Sequence, residues 1–253
     1  MAKLLTVRVI PCLDVRDGRV VKGTRFQNLR DSGDPVELVS RYAEEGADEV
    51  TILDVSATLE GRLASLRTIE AVRRAVRLPI LVGGGVRAVD DARRLLESGA
   101  DKVGVNSAAI KCPDLISEIS GQFGAQCAVV AVDAKRTPDG WRVLINAGSI
   151  QTDVDAIEWA ALVQNLGAGE ILLTSWDRDG TGEGFDLDLT EAVSSKISLP
   201  VIASGGASRP TDFSDAVRAG ASAVLAASVF HEGRYTIGEV KRSLRNDGFE
   251  VRL

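Results

Sequence analysis

The chain has 253 residues, 45% hydrophobic and 26% charged, a globular composition with ample material for a large core. Its formal net charge of -6 argues against broad nucleic-acid binding, which rests on basic surface. No apolar run approaches the roughly 18 residues of a membrane span. Asp14 and Arg16 leave no room for a signal peptide at the start, so a cytoplasmic location is expected.

In chain order, short apolar strand candidates are VRVIPCLDV (7–15), EVTILDV (49–55), LPILVGG (78–84), KVGVN (102–106), CAVVAVDA (127–134), EILLTS (170–175), LPVIASGG (199–206) and AVLAAS (223–228). Helix-period stretches alternate with them at 35–45, 66–76, 89–98, 114–122, 155–166, 188–196, 211–219 and 237–245. Eight strands alternating with eight helices in one α/β chain of this length predict a (β/α)8 TIM barrel, with an open doubly wound sheet as the alternative.

The chain also repeats itself. Residues 78–107 align without a gap on 199–228 and match at nine of thirty positions, among them Gly84/Gly205, Gly85/Gly206 and Ser107/Ser228. That excess over chance predicts an internal duplication: one barrel domain spanning 1–253, made of fused half-barrels at approximately 1–123 and 124–253.

A barrel builds its site at the C-terminal ends of its strands. Those ends carry Asp14, Asp54, Gly84 with Gly85, Asn106 with Ser107, Asp133, Thr174 with Ser175, Gly205 with Gly206, and Ser228. A glycine pair lets backbone approach a ligand, and free N–H groups at a loop or helix start favour an anion. In each half a glycine pair ends one strand and a serine follows the next, so the spacing predicts two phosphate cradles on opposite sides of the mouth. A further glycine stretch, DRDGTGEG (177–184), offers Asp179, Gly180 and Thr181 to the second cradle or is a mobile surface loop. Asp14 and Asp133 end strands that face each other across an eight-stranded ring, which suits general acid and base work at the middle of a substrate held by both ends. Either aspartate serves equally well as a loop cap. Lys22 lies in an expected long loop over the mouth, as a lid cation or an ordinary solvated lysine. The single histidine, His231, reads as structural. Cys12, Cys112 and Cys127 lack metal or redox spacing and read as buried free thiols. No metal and no cofactor is expected.

At CLDVRDGRVVKGTRFQNLRDSGDPVEL, LVGGGVR, GADKVGVNSAA, VVAVDAKR, GAGEILLTSWDRDGTGEGFD, VIASGGA and AASVFH the chain resembles the cyclase subunits of imidazole glycerol phosphate synthase, over essentially residues 6–253. The resemblance implies a lyase of histidine biosynthesis. Such an enzyme uses ammonia from a glutaminase partner to convert a bisphosphorylated ribulosyl formimino aminoimidazole carboxamide ribotide into imidazole glycerol phosphate and aminoimidazole carboxamide ribotide. It assigns acid and base roles to Asp14 and Asp133. It places phosphate contacts at Gly85, Asn106 and Ser107 on one side, and at Asp179, Gly180, Gly206, Ala227 and Ser228 on the other. Arg8, Glu49, Lys102 and Glu170, at strand starts, resemble the family's ammonia gate on the N-terminal face, where the glutaminase would dock; a salt-bridged plug is the structural alternative. The sequence departs from the family at VLINAGSIQTDVDA (143–156), where Ser149 and Ile150 replace basic residues, and at Trp176, where a smaller apolar residue is usual. The related pathway isomerase and a silent phosphate-binding scaffold are the rival readings.

Overall fold

The computed structural model describes residues 6–24 and 27–253. Eight parallel strands, β1 (Arg8–Arg16), β2 (Val50–Asp54), β3 (Ile80–Gly83), β4 (Lys102–Val105), β5 (Ala128–Thr137), β6 (Glu170–Ser175), β7 (Val201–Ser204) and β8 (Ala223–Ala226), pair each with the next. The ring closes where Arg8 to Pro11 of β1 lie in register with Ala223 to Ala226 of β8. Helices Pro35–Glu44, Leu66–Ala75, Val89–Glu97, Asp114–Phe123, Ala156–Asn165, Leu187–Lys196, Pro210–Arg218 and Ile237–Asn246 fill the connections, each end within one residue of its predicted position. The arrangement is a (β/α)8 barrel.

The same local chemistry starts two of the helices. Asp34 and Asp155, 121 positions apart, each cap a helix by accepting from two backbone N–H groups. Those bonds measure 2.8 and 3.2 Å at Asp34, and 2.9 and 3.1 Å at Asp155. The outward faces of the strands pack on the helices as one large core. A separate inner cluster of Ile10, Cys12, Leu81, Val129, Leu172, Ile202, Ala223 and Leu225 fills the barrel itself.

Two expectations need correction. The segment after β1 is not a loop: β1 continues into a hairpin with Arg19–Thr24 and then Gln27–Gly33, as β5 does with Gly140–Ile145 and then Ile150–Asp155. Asp17 and Gly18, both at positive φ, make the first tight turn, and the Asp-Gly pairs at 17–18 and 139–140 are the overlooked signal. Of the cysteines only Cys12 is buried. Cys127 is partly exposed and Cys112 exposed, because they lie just before β5 and just after the short helix Ser107–Lys111 rather than inside strands. No helix among the described residues is long and apolar enough to cross a membrane.

Candidate active site

At the C-terminal rim the mouth divides into two lobes. The first, about 390 Å³, is lined by Asp14, Lys22, Asp179 to Gly182, Ser204 to Ala207 and Leu225 to Ser228. The second, about 450 Å³, is lined by Gly83 to Arg87, Gly104 to Ala108 and Asp133. Leu53 and Thr174 belong to both walls, so the lobes meet there. Every cradle residue expected from the sequence falls into its expected lobe: Gly85, Asn106 and Ser107 in the second, and Asp179, Gly180, Thr181, Gly205, Gly206, Ala227 and Ser228 in the first.

The glycine pairs are required by close backbone packing. Gly85 has φ +71 and a Cβ there would overlap the Arg62 carbonyl; Gly206 has φ +99 and a Cβ would overlap the Gly184 carbonyl. The loop after β6 opens as a compact turn, with the Asp179 N–H donating to the Ser175 carbonyl at 3.0 Å. Beyond each glycine pair, the neighbouring strand runs into a short helix that begins at a cradle serine: Ser107–Lys111 in one half and Ser228–His231 in the other. The sequence patterning missed both, since four or five residues show no usable periodicity.

Each lobe holds one of the two aspartates. Asp14 is buried near the end of β1, accepts from Lys22 Nζ at 3.2 Å, and lies 3.8 Å from the Cys12 thiol. Lys22 also donates to Asp179 at 3.4 Å. Burial opposes its charge, but the Asp14 and Asp179 carboxylates outweigh that and hold the ammonium well above the usual lysine range. It is thus neither a solvated lysine nor a loop residue, since it sits on a hairpin strand. Asp133 accepts from Asn106 Nδ2 at 2.9 Å, and the same amide donates to the Leu144 carbonyl at 3.3 Å. Burial, with the nearby Asp179 and Asp14 charges, pushes the Asp133 carboxyl up to about 7, although the Asn106 bond works the other way. Asn106 therefore bonds an aspartate as well as lining its lobe. Its Oδ1 is buried without a partner.

The sequence reading missed the cations. Arg30 and Arg234 join Lys22 in the first lobe, and Arg62, Arg87 and Lys111 line the second. Arg62 is anchored by Asp54 at 2.6 Å, which gives that strand-end aspartate a bracing role. His231 packs against Tyr42. Its Nδ1 meets the Tyr42 hydroxyl at 2.5 Å, and burial, helped by Lys22 and Arg41, lowers its pKa to about 4.

At the opposite end of the barrel, Arg8, Glu49, Lys102 and Glu170 close into one ion-paired ring. Arg8 binds Glu49 at 2.8 Å and also Glu170, and Lys102 binds both glutamates at 2.8 Å. Burial disfavours the Arg8 charge, and the two glutamates more than restore it. Lys102→Met leaves two buried carboxylates sharing one arginine. The expected loss is about 3 kcal/mol, a Tm drop of about 6–12 °C by scanning calorimetry; an unchanged Tm would mean the ring carries no net stabilisation.

Comparison with known proteins agrees with this geometry. The family model described as "Histidine biosynthesis protein" matches residues 8–236. Imidazole glycerol phosphate synthase subunit HisF of Dehalococcoides mccartyi is 56% identical over 251 residues, 99% of each chain. The subunit of the same name from Leifsonia xyli subsp. xyli is 57% identical over 251 residues, 98% of this chain and 99% of the relative. Two lobes with a carboxylate in each, on a barrel that matches these relatives from end to end, lead to one conclusion: the chain belongs to the histidine biosynthesis protein family, in its imidazole glycerol phosphate synthase subunit HisF branch.

Proposed function

We propose that this barrel is the cyclase that takes the bisphosphorylated ribulosyl formimino aminoimidazole carboxamide ribotide, adds ammonia, and releases imidazole glycerol phosphate and aminoimidazole carboxamide ribotide. One observation carries the reading: two cation-lined lobes meet at Leu53 and Thr174, with the buried Asp14 in the first and the half-buried Asp133 in the second. A substrate with a phosphate at each end fills both lobes, and its reacting centre lies at their junction. The backbone N–H groups around Gly85 and Ser107 take one phosphate, and those around Gly206 and Ser228 take the other.

The two carboxyl groups then divide the proton work. Attack by ammonia requires a base to remove a proton from the incoming nitrogen, and the departing amine requires an acid to supply one. Asp133, with its carboxyl raised to about 7, is the group able to hold a proton at neutral pH. Asp14, bonded to the Lys22 ammonium, is the group placed to act as the base. Ammonia comes from a glutaminase partner docked at the N-terminal face, and the ring of Arg8, Glu49, Lys102 and Glu170 is its gate.

The test mixes the purified protein with the ribulosyl substrate and an ammonium salt and follows substrate absorbance. Consumption supports the cyclase. Binding without consumption points to a scaffold, and an inert substrate with no binding removes the reading.

A further inference from the structure

The two halves correspond at a spacing of 121 positions, and at one place the correspondence sets a polar cluster against an apolar one. Beside the junction of β8 with β1, the helix Pro35–Glu44 carries Arg41 and Tyr42, and the short helix Ser228–His231 ends in His231. Beside the junction of β4 with β5, the equivalent positions are Leu162, Val163 and Ile110.

The three polar side chains form one directed chain of hydrogen bonds. Tyr42 is fully buried, its ring stacks at 6.0 Å on the imidazole, and its hydroxyl lies 2.5 Å from His231 Nδ1. One Arg41 nitrogen donates both to that hydroxyl and to the Phe230 carbonyl, each at 3.1 Å. Arginine only donates, so the Tyr42 oxygen accepts from it and gives its own hydrogen to Nδ1, which leaves the imidazole proton on Nε2. Burial, with Lys22 and Arg41 nearby, pushes the His231 pKa down to about 4, so Nδ1 remains an acceptor at neutral pH.

The helix held in this way is a single turn, which local hydrogen bonding alone does not stabilise. Its first residue, Ser228, lines the first lobe, and its last two take the bonds from Arg41 and Tyr42. The other cradle is fixed from a different side, by the Asn146 N–H donating to Ser107 Oγ at 2.9 Å. Apolar residues therefore suffice for the fold at the equivalent place, and burying a polar chain there adds a desolvation cost. What the polar chain adds is direction, since hydrogen bonds fix the orientation of a turn and apolar contact does not.

We propose that Arg41, Tyr42 and His231 are positioning residues, a clamp that sets Ser228 and the neighbouring backbone N–H groups for the phosphate of the first lobe. The clamp rests on the cyclase reading only for which molecule carries that phosphate.

Inorganic phosphate is the probe, and the other cradle is the internal control. Crystals of wild type, Tyr42→Phe, His231→Leu and His231→Asn are soaked at rising phosphate concentration. Half-filling at Gly206 and Ser228 should need about five-fold more phosphate in Tyr42→Phe and His231→Leu, with Gly85 and Ser107 unaffected. His231→Asn, whose Oδ1 can accept in place of Nδ1, should return toward wild type. Equal shifts at both cradles, no shift at either, or a wild type that fills neither overturns the clamp. Tyr42→Phe removes one oxygen and keeps the ring, so it serves even where His231→Leu fails to fold.

Turnover gives a second readout. KM for the bisphosphate should rise about five-fold in Tyr42→Phe, with kcat changed less than about two-fold. A lower Tm with KM unmoved makes the three residues purely structural and overturns the proposal. A wild type that consumes no bisphosphate rejects the cyclase reading instead, and the phosphate titration still decides the clamp.

Discussion

Asp133→Asn is expected to cut ammonium-driven turnover by about 10² or more while substrate still binds. The same change should stabilise the fold at alkaline pH. The folded state holds a proton on Asp133 up to about pH 7, whereas an unfolded aspartate releases it near its ordinary value of 3.8. Between those values the folded state binds more protons, so stability falls as pH rises through that window, and the wild type above it bears the full cost of a buried carboxylate. Asparagine removes that cost. The variant should therefore gain on the order of 1–3 kcal/mol over the wild type at pH 8 and nothing near pH 3. For the wild type, kcat/KM should fall as pH climbs past about 7, because the acid loses its proton. A variant that is both inactive and less stable at pH 8 would mean Asp133 is ionised and held by partners instead.

Gly206→Ala has the second large expected effect. The added Cβ would meet the Gly184 carbonyl and the Arg178 side chain, on a backbone at φ +99 that an L-residue adopts only under strain. The strand end or the loop around Gly184 must shift, and the N–H groups beside Ser228 lose their alignment. KM for the bisphosphate should rise about ten-fold or more, with a stability cost of about 1–3 kcal/mol. Gly46→Ala is the control: it shares the positive φ, +91, but has open space around its Cβ position, so it should lose stability and leave KM alone. Equal KM changes in both variants would show that the cradle itself was not the cause.

The parts of this molecule legible in its sequence are those set by periodicity and by position on a strand. The eight strands read clearly because runs such as CAVVAV, and the Ile-Leu-Leu centre of EILLTS, are continuously apolar, as expected where one face meets the barrel interior and the other the helices. The expected lobes follow from the same geometry, since the end of a strand has only the rim to occupy. The hairpins after β1 and β5 are obscured because RVVKGT lies in a stretch that reads as a long loop and GWRVLI in one with no strand candidate, and only the Asp-Gly turns mark them. The pairings of Lys22 with Asp14 and Asp179, and of Asn106 with Asp133, join residues up to 157 positions apart, and no local pattern announces such contacts. Arg62 and Lys111 line their lobe without any local pattern that would single them out from other surface cations.

The departures at Ser149, Ile150 and Trp176 also find places. Ser149 donates its hydroxyl to the Asn146 carbonyl at 2.7 Å, inside a turn carrying positive φ at Asn146, Ala147 and Gly148. Ile150 is 46% exposed at the hairpin edge. Trp176 lies 4.6 Å under the Lys135 ammonium, two residues beyond Asp133, so an aromatic ring and a cation brace each other at the rim above β5 and β6.

The central claim is that one molecule spans both lobes with its phosphates apart and its reacting atoms between Asp14 and Asp133. A crystal structure of the Asp133→Asn variant with the bisphosphate bound tests it most directly. The account predicts one phosphate against Gly85 and Ser107, the other against Gly206 and Ser228, and the reacting centre beside Leu53 and Thr174 within reach of residues 14 and 133. Both phosphates in a single lobe, or a reacting centre out of reach of both residues, would contradict it.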